Sequence, residues 1–168
     1  MIKRLLFTTL CLLAASASFP KDYIVSTPNT SLVFKAEKGE KSIFQYYGSK
    51  IDSISDVYNA GLNMGVETCP AFGLNTNFEK IVAITQPDGN MSLDLAVDRV
   101  EQQSDENGAQ TVIVLKDKVY PVEIKQYFKT FNHSDVISTW IEIVNQGKKP
   151  ITLYQFASAY LPVFRAEN

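Results

Sequence analysis

Apolar residues along this chain either alternate with polar ones or gather in short blocks, and nowhere do they recur at helical spacing over three turns. This period-two pattern predicts strands at Tyr23–Ser26, Ser31–Ala36, Ile43–Gly48, Lys80–Gln86, Ser92–Glu101, Gln110–Lys116, Val122–Thr130, Val136–Asn145 and Ile151–Tyr160, with helix nearly absent. In the strand over Val136–Asn145, Ile137, Thr139, Ile141 and Ile143 share one face, expected to line the core, while Ser138, Trp140, Glu142 and Val144 share the other. Elsewhere aromatic residues fall on both faces, as in Tyr127/Phe128 and Tyr154/Phe156, which suits a sheet covered on both sides by a second sheet or another domain. Pro87-Asp88-Gly89-Asn90, Asp105-Glu106-Asn107-Gly108 and Gln146-Gly147-Lys148-Lys149 supply turn chemistry between strands, so consecutive strands are expected to pair antiparallel. The fold class that follows is all-β, an antiparallel sandwich.

Two stretches depart from this rhythm. Lys3 and Arg4 precede an apolar run from Leu5 to Ala15, and Ala15-Ser16-Ala17 places small residues where signal peptidase cuts, so residues 1–17 are expected to be a signal peptide and 18–168 the mature domain. The apolar run is too short for the roughly 20 residues of a membrane span, and Thr9-Leu10 before Cys11 does not match a lipoprotein signal. The protein is therefore expected to be exported, to the periplasm or beyond the cell, with no membrane attachment after signal removal. The second stretch, Ile51–Asn77, is rich in Asp, Asn, Gly and Ser, and a connection of that length in a compact domain marks the candidate functional loop.

Composition then narrows the chemistry. At 168 residues, with 16 Lys plus Arg against 18 Asp plus Glu and the signs interspersed, the chain forms one ordinary domain without the basic field that nucleic acid requires. His133 is the only histidine and Cys69 the only cysteine after the signal, so no metal cluster, no cofactor site and no disulfide is expected, and the usual hydrolytic triads lack their members. Cys69 reads as a buried inert thiol and His133 as an exposed turn residue. Asp94 with Asp98, and Asp52 with Asp56, are near in sequence. On one strand the first pair would stand about 13 Å apart, too far for a glycosidase pair. Gly61-Leu62-Asn63-Met64-Gly65 lacks the Lys-Ser/Thr and helix of a phosphate loop. No catalytic residue is assigned.

Three stretches, in order, carry a resemblance: Thr27–Phe34 leading to Phe44-Gln45-Tyr46-Tyr47-Gly48; Pro70-Ala71-Phe72-Gly73 with Asn77-Phe78 and then Pro87-Asp88-Gly89; and Asp135-Val136-Ile137-Ser138 through Val144-Asn145-Gln146-Gly147 to Ala157–Pro162. Together they resemble the N-terminal domain of glycoside hydrolase family 36 α-galactosidases. The resemblance implies a β-supersandwich followed in the full enzyme by a (β/α)₈ barrel, where two aspartates hydrolyse terminal α-galactosides with retention. It implies that this domain packs on the barrel and assists assembly of a homo-oligomer, with galactosides as the substrate of the whole. In the family the long early loop can reach an active site with an acidic and a basic residue. Ile51–Asn77 holds no Arg or Lys, and Asp56 is the one acid the resemblance carries over as substrate-binding. Two other readings are compatible with the residues: a free-standing carbohydrate-binding module using Trp140, Tyr46, Tyr47 or Tyr154, and the similar sandwich of another glycosidase family.

Overall fold

The computed structural model describes residues 21–59, 61, 64–73 and 79–161. The expected signal peptide at 1–17 lies outside the described residues, as do Leu62, Asn63, Asn77, Phe78 and Pro162. The elements are β1 (Lys21–Ser26), β2 (Thr30–Ala36), β3 (Ile43–Ser49), α1 (Ile54–Asn59), β4 (Val66–Glu67), β5 (Val82–Thr85), β6 (Leu95–Asp105), β7 (Gly108–Asp117), β8 (Val122–Phe131), β9 (Ser134–Asn145) and β10 (Thr152–Phe156). They form one sheet in the order β1-β2-β3-β4, a second in the order β6-β7-β8-β9, and a two-stranded ribbon of β10 with β5. Every pair of named strands is antiparallel.

The all-β sandwich read from the sequence is the observed fold, because the period-two patterns of the two larger sheets face each other. Leu32, Phe34 and Phe44 from the first sheet meet Ile113, Leu115, Ile124 and Phe128 from the second, with Val82 and Ile84 of β5 in the same cluster. Phe128 is the hinge of this packing: its ring stacks on Phe34 at 5.7 Å and meets Phe44 edge-on at 6.1 Å. Full burial of an aliphatic or aromatic side chain contributes about 1.5–3 kcal/mol, so this layer carries much of the stability of a chain whose single described cysteine is free. Ile137, Ile141 and Ile143 pack against the cluster from β9, on the face the alternation assigned to the core.

Register shifts interrupt four of the described ladders, between Val33/Phe34, Val97/Arg99, Thr130/Phe131 and Leu153/Gln155. Tyr46 opposes Val33 and Phe44 opposes Phe34, which makes Gln45 the extra residue on β3, and Arg99 follows Val97 in the β6–β7 ladder, which makes Asp98 the extra residue there. The turn Asp105–Gly108 closes β6 onto β7 through the Asp105 carboxylate, which accepts hydrogen bonds from the Asn107 and Gly108 N–H groups at 2.7 and 3.0 Å. Gly108 is required by close approach, since a Cβ there would lie 2.0 Å from the Thr130 carbonyl oxygen.

The expectation that all consecutive strands pair is corrected at three places, the first being that the expected strand Lys80–Gln86 does not pair with the one before it, Ile43–Gly48. Strand β5 pairs with β10, about which local turn chemistry says nothing, and neither β5 with β6 nor β9 with β10 forms a ladder. At the turn after β9 Gln146 N–H donates to the Pro121 carbonyl, Asn145 Nδ2 donates to the Lys149 carbonyl, and Pro150 has no N–H to offer a ladder, so the chain leaves the β9 edge and crosses to β5.

Helix α1 and strand β4 both lie inside the stretch read only as a loop. Ser53 precedes α1 and its hydroxyl accepts the Ser55 N–H at 3.3 Å, while the Asp56 carboxylate accepts the Ser53 N–H at 3.2 Å. This reciprocal cap holds a single short helix that buries only Val57.

Candidate functional site

The structure separates the residues that the sequence offered for chemistry. Asp56 is exposed and its carboxylate caps α1. The loop that carries it is tied back to the first sheet, with Ile51 N–H donating to Ser31 Oγ and the Tyr58 hydroxyl donating to the Asp22 carboxylate at 3.1 Å. Burial, and then the Asp22 charge and hydrogen bond, hold the Tyr58 hydroxyl above its ordinary pKa.

Asp94 and Asp98 are engaged as ion-pair partners. Asp94 lies 3.0 Å from Lys41 and 3.2 Å from Lys118, and Asp98 lies 2.7 Å from Arg99 and 3.0 Å from Lys116. Burial would raise the Asp94 carboxyl, but the hydrogen bonds and charges of Lys41 and Lys118 outweigh it and hold the group below its ordinary value. Lys116 and Arg99 hold Asp98 low in the same way. A glycosidase general acid needs the opposite shift, so both carboxylates have the electrostatics of structural ion pairs.

Cys69 is buried, and burial first, with the nearby Glu67 charge adding to it, pushes its thiol up to about 12, which leaves no thiolate for chemistry near neutral pH. His133 is exposed in the turn between β8 and β9. Among the described residues no three His, Cys, Asp or Glu side chains come together to hold a metal ion. No helix of the described residues is long and apolar enough to cross a membrane.

The aromatic residues stand in different settings, and Tyr47 on β3 is 45% exposed. Trp140 stacks on Tyr127 across the outer face of the second sheet, centroids 4.6 Å apart and planes within 5°. The Tyr127 hydroxyl donates to Glu142, and burial together with that carboxylate raises its pKa to about 12. Val112 and Val114, which face away from the first sheet, are buried beside these groups, so the second sheet's outer face is closed by its own long side chains. Tyr46 donates to the Ser49 carbonyl at 2.8 Å.

A further set is uncovered. On β10 Leu153, Tyr154 and Phe156 are 45, 76 and 63% exposed, and Phe72, whose N–H donates to Val82 of β5, is 44% exposed. The segment that carries Phe72 is fixed in place: the Leu93 N–H donates to the Phe72 carbonyl, and Gly73, at φ +109°, leaves no room for a Cβ, which would lie 2.4 Å from Ser92 Cα. These exposed apolar side chains lie on β10 and on the segment bonded to β5.

Sequence alone indicated Tyr154 and Phe156 as aromatic strand residues, but not the β5–β10 pairing that positions them. It gave no sign of Asp135, which fastens the β8–β9 turn to the β1–β2 turn by accepting Thr27 Oγ1, Asn29 N–H and Asn29 Nδ2 at 2.7–2.8 Å.

The family model for the glycosyl hydrolase family 36 N-terminal domain matches residues 40–168, more than half of the chain, and the chain belongs to that family. No curated protein matches it by sequence. Among solved structures it is similar to the GH36 α-galactosidase AgaA of Geobacillus stearothermophilus bound to 1-deoxygalactonojirimycin, with TM-score 0.73 and 13% identity, over 83% of this chain and 24% of that one. It is similar to the galactosidase domain of the α-galactosidase-sucrose kinase AgaSK, with TM-score 0.72 and 22% identity, over 83 and 24% of the two chains. The α-galactosidase of Lactobacillus brevis matches at TM-score 0.70 and 16% identity, over 86 and 24%. The chain thus spans about a quarter of the length of the enzymes it matches.

Proposed function

We propose that this chain is the non-catalytic N-terminal sandwich of a retaining α-galactosidase, supporting hydrolysis of terminal α-galactosides by a barrel elsewhere in the enzyme. The observation that carries the reading is the bare ribbon of Leu153, Tyr154, Phe156 and Phe72 in a chain that spans a quarter of its structural neighbours. An apolar surface of this kind calls for a covering domain, and the barrel is the proposed occupant. The depressed Asp94 and Asp98 support the division of labour, because neither has the raised pKa of a general acid.

In the same proposal, Asp56, exposed on α1, reaches substrate or a neighbouring subunit, and the sandwich assists homo-oligomer assembly. The Lys3-Arg4 and Leu5–Ala17 pattern directs export to the periplasm or beyond.

Assayed with a chromogenic α-galactoside, the 168-residue chain is expected to give no turnover, and a longer product that continues into a barrel to give turnover. Turnover by the short chain that disappears in Asp52→Asn, Asp56→Asn, Asp94→Asn or Asp98→Asn overturns the reading.

A further inference from the structure

The turn that closes β6 onto β7 carries reactive chemistry as well as shape. Asn107 is followed by Gly108, and with no side chain on Gly108 its backbone nitrogen can approach the Asn107 amide unhindered. Asparagine is a thermally labile residue, and in an unfolded chain this pair loses ammonia. The Gly108 nitrogen gives up its proton and bonds to Asn107 Cγ, the Cγ–Nδ2 bond breaks, and Nδ2 leaves as ammonia. The cyclic imide that forms takes up one water and reopens at either of its two C–N bonds, leaving aspartate or isoaspartate at position 107. Water is the only co-reactant, and the balance is amide plus water to carboxylic acid plus ammonia.

The folded turn presents the side chain and withholds the nucleophile. Asn107 is exposed, whereas Gly108 is buried. The peptide unit between them is held at both of its polar atoms: the Asn107 carbonyl accepts the Asn132 N–H at 3.1 Å, and the Gly108 N–H donates to Asp105 Oδ1 at 3.0 Å. The same Asp105 oxygen accepts the Asn107 N–H at 2.7 Å, and Asn132 Nδ2 donates to the Glu106 carbonyl at 2.7 Å. A proton donated to a carboxylate is harder to remove, because the nitrogen anion would stand against a negative charge. Attack on Cγ also requires the peptide unit to turn, and Gly108 is wedged against β8, where a Cβ would lie 2.0 Å from the Thr130 carbonyl oxygen.

We propose that Asn107 is a latent deamidation site held closed by Asp105, and that its conversion to isoaspartate releases the β6–β7 hairpin. Isoaspartate inserts a methylene into the main chain directly ahead of Gly108 and sets a new carboxylate beside Asp105 and Glu106. The Asp105–Gly108 register and the Asn132 contact cannot both survive that insertion. The site is independent of the proposed role beside a barrel.

The test is incubation of the full chain and of Asp105→Ala and Asp105→Asn at mildly alkaline pH, with Asn107 followed by peptide mapping and mass spectrometry. In denaturant the three proteins are expected to deamidate at Asn107 at one rate, and the folded parent far more slowly, since reaction then waits on local opening. Folded Asp105→Ala is expected to react about tenfold faster than the folded parent, a factor that corresponds to about 1.4 kcal/mol. Asp105→Asn keeps an acceptor oxygen without the charge and is expected to fall between them. In the isoaspartate form, hydrogen exchange is expected to speed up along the β6–β7 ladder and to stay slow in β8. A folded parent that reacts as fast as in denaturant, an Asp105→Ala rate equal to the parent's, or an isoaspartate form with unchanged exchange each overturns the inference. An acceleration in Asp105→Ala that comes with loss of protection across β8 as well also overturns it, because Asp105 would then act through the whole fold.

Discussion

The outer face of the second sheet and the β5–β10 ribbon are both rich in aromatic and aliphatic residues, yet one is closed and the other bare. On the sheet, Tyr127 and Trp140 stack, Lys125 stands 3.7 Å from Glu142, Arg99 pairs with Asp98 and Glu101, and Val114 beneath them is fully buried. On the ribbon every residue of β10 is exposed, and among the described residues the side chains of Leu153, Tyr154 and Phe156 have no such canopy. The difference lies in cover: the sheet face carries its own, while the described apolar side chains of the ribbon are exposed. Long amphipathic side chains can seal a sheet face without a second layer, whereas a two-stranded ribbon with large apolar groups needs another surface.

The comparison is broken most severely from inside. Phe128→Ala removes the ring that joins Phe34 to Phe44, and chemical denaturation is expected to show a loss of about 3–5 kcal/mol. Tyr154→Ala on the ribbon should change the stability of this chain by no more than about 0.5 kcal/mol, the usual range for exposed positions. An equal loss at both sites would erase the distinction between a packed layer and a bare one. On the sealed face, Trp140→Ala is expected to lie between these, losing about 0.5–1.5 kcal/mol of ring–ring contact in addition to the area it covers.

The fastening of the two sheets at their ends offers a pH test. Hydrogen bonds from the Asn29 side chain, Thr27 and the Asn29 N–H depress the Asp135 carboxyl, so its folded pKa lies below the unfolded value of about 3.9. Its contribution is fully present above that value and fades as pH falls through the lower, folded pKa. Asp135→Asn is therefore expected to lower stability at neutral pH and to flatten the acid limb of a denaturation-against-pH series. An unchanged acid limb would show that the contact carries no linkage. A smaller and purely chemical check is thiol labelling. Cys69, with its pKa near 12, should react with a thiol reagent at pH 8 only as fast as the protein opens.

The ladder from β6 to β9 was legible in the sequence because alternation and turn residues are local. Ile137, Ile141 and Ile143 face the core as their spacing requires, and Asp105–Gly108 closes its hairpin. The β5–β10 pairing was not legible, since it joins Val82 to Phe156 across most of the domain and no periodicity encodes a partner that far away. For the same reason the sequence marked Trp140 as outward but not its stacking on Tyr127, which depends on register. Of the candidate site, Asp56 was visible as an acid in an unusual loop, while its cap on α1 required the short helix that a six-residue pattern is too brief to announce.

The most direct test of the division between a finished and an unfinished surface is hydroxyl-radical footprinting read out at single residues. Tyr154 and Phe156 are expected to oxidise rapidly in the 168-residue chain and to be strongly protected in a longer product that carries a barrel, while Trp140 labels equally in both. Equal oxidation of Tyr154 and Phe156 in the two proteins would contradict the account.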